Sequence, residues 1–420
     1  MAFCSLETSR EDIIESDLPS LVLKADSGLK SGVEPMLAED ATGGSYFLRD
    51  KLRSVQLVFK PSDEEANAPN NPHKSSGSYG ASYKGRIVPG FGMYRELAAF
   101  AIDHQGFAGV PPTDIAKVRS PSFFSVGATN VGRYGYKIGS VQSYVRSECS
   151  AEEMGYSKFD VEDVMRIAIL DVRICNLDRH AGNILVTRFA PYQSTRDQFA
   201  DLSEEHQAAS SAPSTSNNFV LKSNTPSPSN SNYRLVPIDH GFCLPHILQL
   251  SDATFTWLTW PQVKQPLSEE LKDYVKNLDA DKDCEKIRQL VGAAIPETCL
   301  LSLKVCTNLL KIGIEKEKSL FEIASLMIDI DENENVRISK LQAIVNKAIR
   351  HVVFEDIKRN AVPVSLRRSS PPTLPNNSNA THGKEAIVSD EILKHAMSIK
   401  NGKSLFDQIN LYLKEALDKV

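Results

Sequence analysis

Apolar positions along this chain change their period part-way through. The stretches "YFLRD", "SVQLVFKP" and "YGYKIGSVQSYV" are rich in Val, Phe, Tyr and Ile and broken by Gly and Asp, which predicts strands. Between the second and third lies "GMYRELAAFAIDHQG", where Met93, Leu97, Phe100 and Ala101 recur at helical spacing and Gly106 marks the end. A second helix is expected over "VEDVMRIAILDVRICN", with Asp160 as N-cap and Val164, Ile167, Ala168 and Ile174 as its buried stripe. It runs into "LDRHAGNILVT", a polar knot followed by a short apolar strand, and "YRLVPIDHGF" reads as another strand.

Beyond residue 268 the pattern is helical. The segments are "SEELKDYVKNL", "CLLSLKVCTNLL", "KSLFEIASLMI" and "ISKLQAIVNKAIRHVVF", the last with Leu341, Ile344, Ala348 and Val352 on one face. Residues 1–35 read as a flexible polar lead-in. The serine-rich stretch 190–232 reads as a disordered insertion, because it cannot bury enough apolar surface to offset chain entropy. Residues 361–386 read as a flexible linker and 387–420 as one amphipathic helix. The fold class expected is α+β: a β-rich N-lobe (36–147) and a mainly helical C-lobe (148–360), bilobal, with a ligand cleft between them.

Composition narrows the function. The net charge of −5 carries no basic signature, so nucleic acid is excluded as a main partner. Seven scattered cysteines without a C-x-x-C pair argue against a disulfide framework and a zinc site, and favour a reducing, cytoplasmic compartment. The N-terminus reads as no signal peptide, and no stretch of 420 residues is apolar enough to span a bilayer.

Chemistry enters through an ordered set of polar elements. "ATGGSYF" places Gly43 and Gly44 between two strands, "VFKP" puts Lys60 on the next strand, and "YRELAAF" puts Glu96 on the first helix. "LDRHAGN" supplies Asp178, His180 and Asn183, and "IDHGF" supplies Asp239 at a strand end. Phosphoryl transfer from ATP needs such parts, because its catalysis is mostly positioning and charge neutralisation. Glycines let backbone N–H groups approach phosphate oxygens, a lysine meets the phosphates as a point charge, and a helix glutamate holds the lysine. Asp178 is placed to accept a hydroxyl proton, and Asn183 and Asp239 offer the hard oxygen ligands that Mg²⁺ requires. Asp178 and Asn183 keep the spacing of the protein-kinase loop H-R-D-x-x-x-x-N, but the histidine follows the aspartate here.

D-R-H-x-x-N followed by I-D-H-G resembles the phosphatidylinositol 3-/4-kinase superfamily. Within it, "GGSYF…VFKP…YRELAAF…LDRHAGNIL…PIDHGFCLP…WLTWPQ" is similar to the type II phosphatidylinositol 4-kinases, most of all the plant gamma group. The resemblance implies a protein-kinase-like fold with an ATP cleft and a catalytic domain over 36–360. It implies a glycine-rich loop at Thr42, Gly43, Gly44, Ser45 and Tyr46, the ATP lysine Lys60 with Glu96, and an adenine hinge at Gln142, Ser143, Tyr144 and Val145. It also implies Asp178 as base with His180 as helper, and Asn183 and Asp239 as Mg²⁺ residues. The activity implied is transfer of the ATP γ-phosphate to the 4-hydroxyl of phosphatidylinositol, by a monomer in peripheral contact with membranes. Many gamma-group members carry N-terminal ubiquitin-like domains, for which 1–35 is too short.

Two other classes stay open. A Ser/Thr kinase with protein substrates would use the same parts, and a non-catalytic scaffold is disfavoured because Lys60, Asp178, Asn183 and Asp239 are all present. From His240 to Gln262 there is no Lys or Arg, yet both tryptophans are there. That suits either an uncharged inositol lipid at a membrane interface or a packed core.

Overall fold

The computed structural model describes residues 5–8, 16–39, 41–73, 84–123, 136–188, 232–328, 338–360, 388–399 and 404–420. The expected insertion (except Asn232) and the 361–386 linker lie outside the described residues. The chain divides into two compact units. The first takes 1–80, 92–167 and 180–239, and the second takes 81–91, 168–179 and 240–420.

The first unit is built on an antiparallel sheet: β1 (Ser5–Thr8), β2 (Met36–Leu37), β3 (Tyr46–Arg49), β4 (Val55–Pro61), β5 (Thr113–Arg119) and β6 (Lys137–Ser143), in the order β1-β5-β6-β4-β3-β2. The three strands expected from apolar pattern are β3, β4 and β6. Asp50 closes the β3–β4 hairpin, its Oδ1 accepting from the N–H groups of Leu52 and Ser54 at 2.8 and 2.9 Å. Along β4 the pleat alternates: Leu57 and Phe59 enter the core, which leaves Lys60 on the opposite face. The helix expected over "GMYRELAAFAI" is α2 (Gly92–Ile102), and it packs on β5 and β6.

The described residues of 1–35, which are 5–8 and 16–35, are not a flexible lead-in. They supply β1, which pairs with β5, and α1 (Leu18–Lys30), whose Leu18, Val22, Ala25 and Leu29 lie in the same core as Leu48, Leu57, Phe59 and Val141. The apolar residues recur at helical spacing, and Pro19 opens the helix where its missing N–H costs nothing.

A smaller antiparallel sheet in the first unit joins β7 (Cys149–Ser150), β8 (Ile184–Arg188) and β9 (Tyr233–Pro237). α3 (Val161–Ile174) starts in this unit, with Asp160 Oδ1 accepting from Glu162 N–H at 2.9 Å as the expected N-cap. Asp163 in its first turn accepts from Arg234 NH1 at 2.9 Å and from Leu235 N–H at 3.2 Å, which fixes β9. All four residues of the stripe expected on α3 are buried.

The second unit is helical: α4 (Glu269–Asn277), α5 (Ala280–Val291), α6 (Glu297–Glu315), α7 (Leu320–Ala324), α8 (Lys340–Asn360), α9 (Asp390–Ser398) and α10 (Leu405–Leu417). α6 is buried over most of its length, as an apolar helix should be when other helices surround it. On α8 the buried face holds Leu341, Val345, Ala348, Ile349 and Val352, so Val345 takes the place expected for Ile344. The single C-terminal helix expected over 387–420 is two helices. Ser389 and Ser404 each cap one by accepting from a backbone N–H three residues on, so the chain restarts at Ser404.

Candidate active site

β4 and α2 of the first unit bring two of the expected residues into direct contact. Lys60 Nζ donates to Glu96 Oε1 at 2.7 Å, and Glu96 is almost wholly buried. The same ammonium reaches Asp239 Oδ1 at 3.1 Å, with the Asp239 side chain 44% exposed. Burial works against the charge on Lys60, but Asp239 and Glu96 outweigh it and hold the pKa above the usual lysine value. Lys60 is therefore a fixed cation with one buried and one accessible carboxylate partner.

Asp239 directly follows the 3-stranded sheet and has φ +59°, the left-handed region that a non-glycine residue rarely enters. Ile184 faces Pro237 across the β8–β9 ladder, and Ile238 N–H donates to Asn183 O at 3.0 Å. Asn183, in the turn before β8, and Asp239, just after β9, are thus neighbours at one end of this sheet. His180 precedes that turn and is exposed, with its ring against Gly182: a Cβ there would lie 3.0 Å from His180 Cε1 and Nδ1. The set fits Mg²⁺ by its chemistry, since an amide oxygen and a carboxylate are hard donors and this ion takes its remaining ligands from water and phosphate. Among the described residues no group of three or more His, Cys, Asp and Glu could hold a metal.

The glycine-bearing segment links β2 to β3, as expected, but its glycines serve another neighbour first. Gly44 N–H donates to Glu64 O at 2.8 Å, and Thr42 O accepts from Asn71 Nδ2 at 3.1 Å. Tyr46 turns its ring into the core and donates to Glu64 Oε2 at 2.6 Å, so its side chain does not line a nucleotide site. Burial pushes the Glu64 carboxyl up, against the pull of Lys137 and Tyr46.

The hinge expected at 142–145 lies at the end of β6. Lys60 faces Ser140 across the β4–β6 ladder, so Gln142, two residues on, shares the face of Lys60. Its Nε2 donates to Thr113 Oγ1 at 2.9 Å. Ser143 Oγ is buried with no hydrogen-bond partner, Tyr144 is exposed and packs edge-on to Phe47, and Val145 is half-buried.

Asp178 belongs to the second unit. It is half-buried, and its N–H donates to Asn176 Oδ1 at 2.9 Å. Beside it runs a buried polar network that motif reading misses. Asp171 Oδ1 accepts from Asn176 Nδ2 at 3.0 Å, both Asp171 oxygens accept from Arg179 Nε at 3.0 Å, and Trp257 Nε1 donates to Asp171 Oδ2 at 2.9 Å. Arg179 NH2 lies 2.9 Å from His240 Nε2; a guanidinium has no acceptor, so that nitrogen accepts and the ring hydrogen sits on Nδ1. Of the two readings for the tryptophans, the core one holds: Trp257 is fully buried and stacked on Phe255, and Trp260 is buried too. Among the described residues the cysteines are free, and Cys175, Cys243, Cys284, Cys299 and Cys306 are buried. No helix among them is long and apolar enough to cross a membrane.

Comparison with known proteins bears on the same residues. The family model described as phosphatidylinositol 3- and 4-kinase matches residues 41–323, more than half of the chain. The Arabidopsis thaliana protein named phosphatidylinositol 4-kinase gamma 3 is 36% identical over 324 residues, which cover 74% of this chain and 49% of the relative. Phosphatidylinositol 4-kinase gamma 8 of the same plant is 37% identical, over 78% of this chain and 56% of the relative. Phosphatidylinositol 4-kinase gamma 4 of Oryza sativa subsp. japonica is 33% identical, over 78% and 50%. The chain thus spans about half the length of the relatives it matches. Together the matched span and these relatives place the chain in the phosphatidylinositol 3- and 4-kinase family.

Proposed function

We propose that the chain transfers the γ-phosphate of ATP to the 4-hydroxyl of phosphatidylinositol. The observation that carries this is the Lys60 ammonium held between buried Glu96 and accessible Asp239 at 2.7 and 3.1 Å, which suits a cation meant for phosphate oxygens. The names of the gamma relatives support the 4-position.

In this reading the chain orients the reactants and moves one proton. Lys60 binds the phosphates and Glu96 keeps it aimed. The inositol 4-oxygen attacks the γ-phosphorus as the bond to ADP breaks, and Asp178 takes the hydroxyl proton. His180, exposed one residue past Arg179, steadies the attacking hydroxyl. Asn183 and Asp239 would hold Mg²⁺, which when bound neutralises charge on the transferring phosphoryl group. The acceptor lies in a bilayer, so the contact with it is peripheral.

The test is transfer of radiolabelled γ-phosphate by the purified chain, offered phosphatidylinositol liposomes and a generic protein substrate side by side, with Asp178→Ala as the blank. Label in the lipid alone, absent from the blank, supports the reading. Label only in protein replaces the acceptor and leaves the site intact.

A further inference from the structure

The stretch after Lys60, "PSDEEAN", looks like an acidic surface turn, yet the Glu64 side chain is 0% exposed. β4 ends at Pro61, and Ser62–Glu64 form a short turn that points Glu64 inward. Glu64 Oε1 lies 2.6 Å from Lys137 Nζ, and that lysine, 7% exposed, also reaches Asp63 Oδ2 at 2.7 Å. Glu64 Oε2 accepts from Tyr46, the residue where the glycine-bearing segment enters β3.

The loop itself is fitted onto this carboxylate. A Cβ at Gly44 would stand 2.2 Å from Glu64 Oε2, and one at Gly43 would stand 2.9 Å from Glu64 O. Gly44 N–H is tied to Glu64 O and Thr42 O to Asn71, so both sides of the loop are held by 64–71. Lys137 lies on β6, the strand that also pairs Ser140 with Lys60 and Gly139 with Pro61. One buried ion pair therefore joins the turn that follows the Lys60 strand to β6, and the loop is fitted onto the Glu64 side of that pair. Taking both charges out of water is costly, and such pairs are best explained where they fix one arrangement against others.

We infer that Glu64, gripped by Lys137 and Tyr46, is a positioning residue that sets the 41–47 loop at a fixed distance from Lys60 for the ATP triphosphate. This rests on the ATP reading above and adds to it a group that none of the motif positions includes.

The experiment titrates the intact chain with a fluorescent ATP analogue in Mg²⁺. In parallel it measures kcat and KM for ATP and for phosphatidylinositol vesicles. Glu64→Gln leaves Lys137 facing an amide and is expected to weaken ATP by about tenfold while the phosphatidylinositol KM stays within about twofold. Glu64→Gln with Lys137→Gln gives two facing amides that can hydrogen-bond, and recovers most of that loss. Tyr46→Phe removes one hydrogen bond to a buried carboxylate with little change of shape, and is expected to weaken ATP about threefold while the phosphatidylinositol KM stays within about twofold. Unchanged ATP affinity in Glu64→Gln or in Tyr46→Phe overturns the inference. So does a parallel loss of ATP affinity, lipid KM and Tm that Lys137→Gln does not rescue, because that pattern belongs to a merely structural pair. If the wild-type chain binds no ATP, the proposed function fails and this inference with it. If wild type binds ATP and the variants bind it equally well, only the inference fails.

Discussion

Arg179 presents its Nε hydrogen to both carboxylate oxygens of Asp171, 3.0 Å from each, and directs NH2 at His240. The arginine of the D-R-H sequence is therefore a buried strut, while its neighbours Asp178 and His180 remain half-buried and exposed. Removing the strut leaves Asp171 charged and short of partners in the interior. Arg179→Met is expected to cost about 3–5 kcal/mol in urea unfolding, and Trp257→Phe, which loses one hydrogen bond to Asp171, about 1–3 kcal/mol. Midpoints equal to wild type would contradict the network.

Asp178→Ala removes the proposed proton acceptor and leaves the side chains of Lys60, Asn183 and Asp239 in the chain. Turnover should fall by about 100-fold or more while nucleotide binding persists. Wild-type rates in this variant would remove Asp178 from the mechanism.

Asp239 separates charge from backbone strain. Asp239→Asn keeps a residue that tolerates the left-handed region but loses the carboxylate, so transfer should need more Mg²⁺ at nearly unchanged Tm. Asp239→Ala adds a backbone penalty of roughly 1 kcal/mol, visible as a lower Tm than that of Asp239→Asn. Equal Mg²⁺ requirement in wild type and Asp239→Asn would sink its role as a metal residue.

Acid should weaken the second unit through particular carboxylates. Hydrogen bonds from Arg288 hold Glu297 below its usual 4.5, those from Ser319 do the same for Glu322, and Arg86 lowers Asp390 below 3.8. Depressed values mean that the stabilising share is complete above 3.8 for the aspartate and 4.5 for the glutamates, and is lost as pH falls through the lower folded values. Tm measured from about pH 6 to about pH 3 should therefore drop, and Glu297→Gln should flatten the drop. A slope identical to wild type would exclude Glu297 from the effect.

The N-terminal helix belongs to the fold, and Leu29→Ala tests it. Leu29 is buried among sheet residues, so truncation should cost about 2–5 kcal/mol. A loss below about 0.5 kcal/mol, typical of an exposed site, would mean that α1 is dispensable.

That Lys60 meets Glu96 and Asp239, and that Asn183 lies near Asp239, was legible because the proposed chemistry demands particular residue types in a particular order on strands and helices, and local pattern reveals both. α1 was not, although Leu18, Val22, Ala25 and Leu29 are helically spaced. Ser20, Lys24, Asp26, Ser27 and Gly28 dilute that stripe, and it becomes a core face through β1, β3, β4 and β6. Glu64 was illegible for a stronger reason: Asp63 and Glu65 flank it, and its burial is set by Gly44 and Lys137, which are remote in sequence. The tryptophans show the same limit, since nothing within 240–262 announces that Asp171 waits for the indole of Trp257. Arg179 was in plain view and carried no sign of facing inward.

The sheet order has a consequence for synthesis. β1 pairs with β5, Ser5 opposite Arg119, so more than a hundred residues must leave the ribosome after β1 before its mate does. At roughly 5–20 residues per second that is several seconds at least, during which Leu6 lacks its β5 neighbours. β1 therefore cannot be secured in its sheet until β5 has emerged.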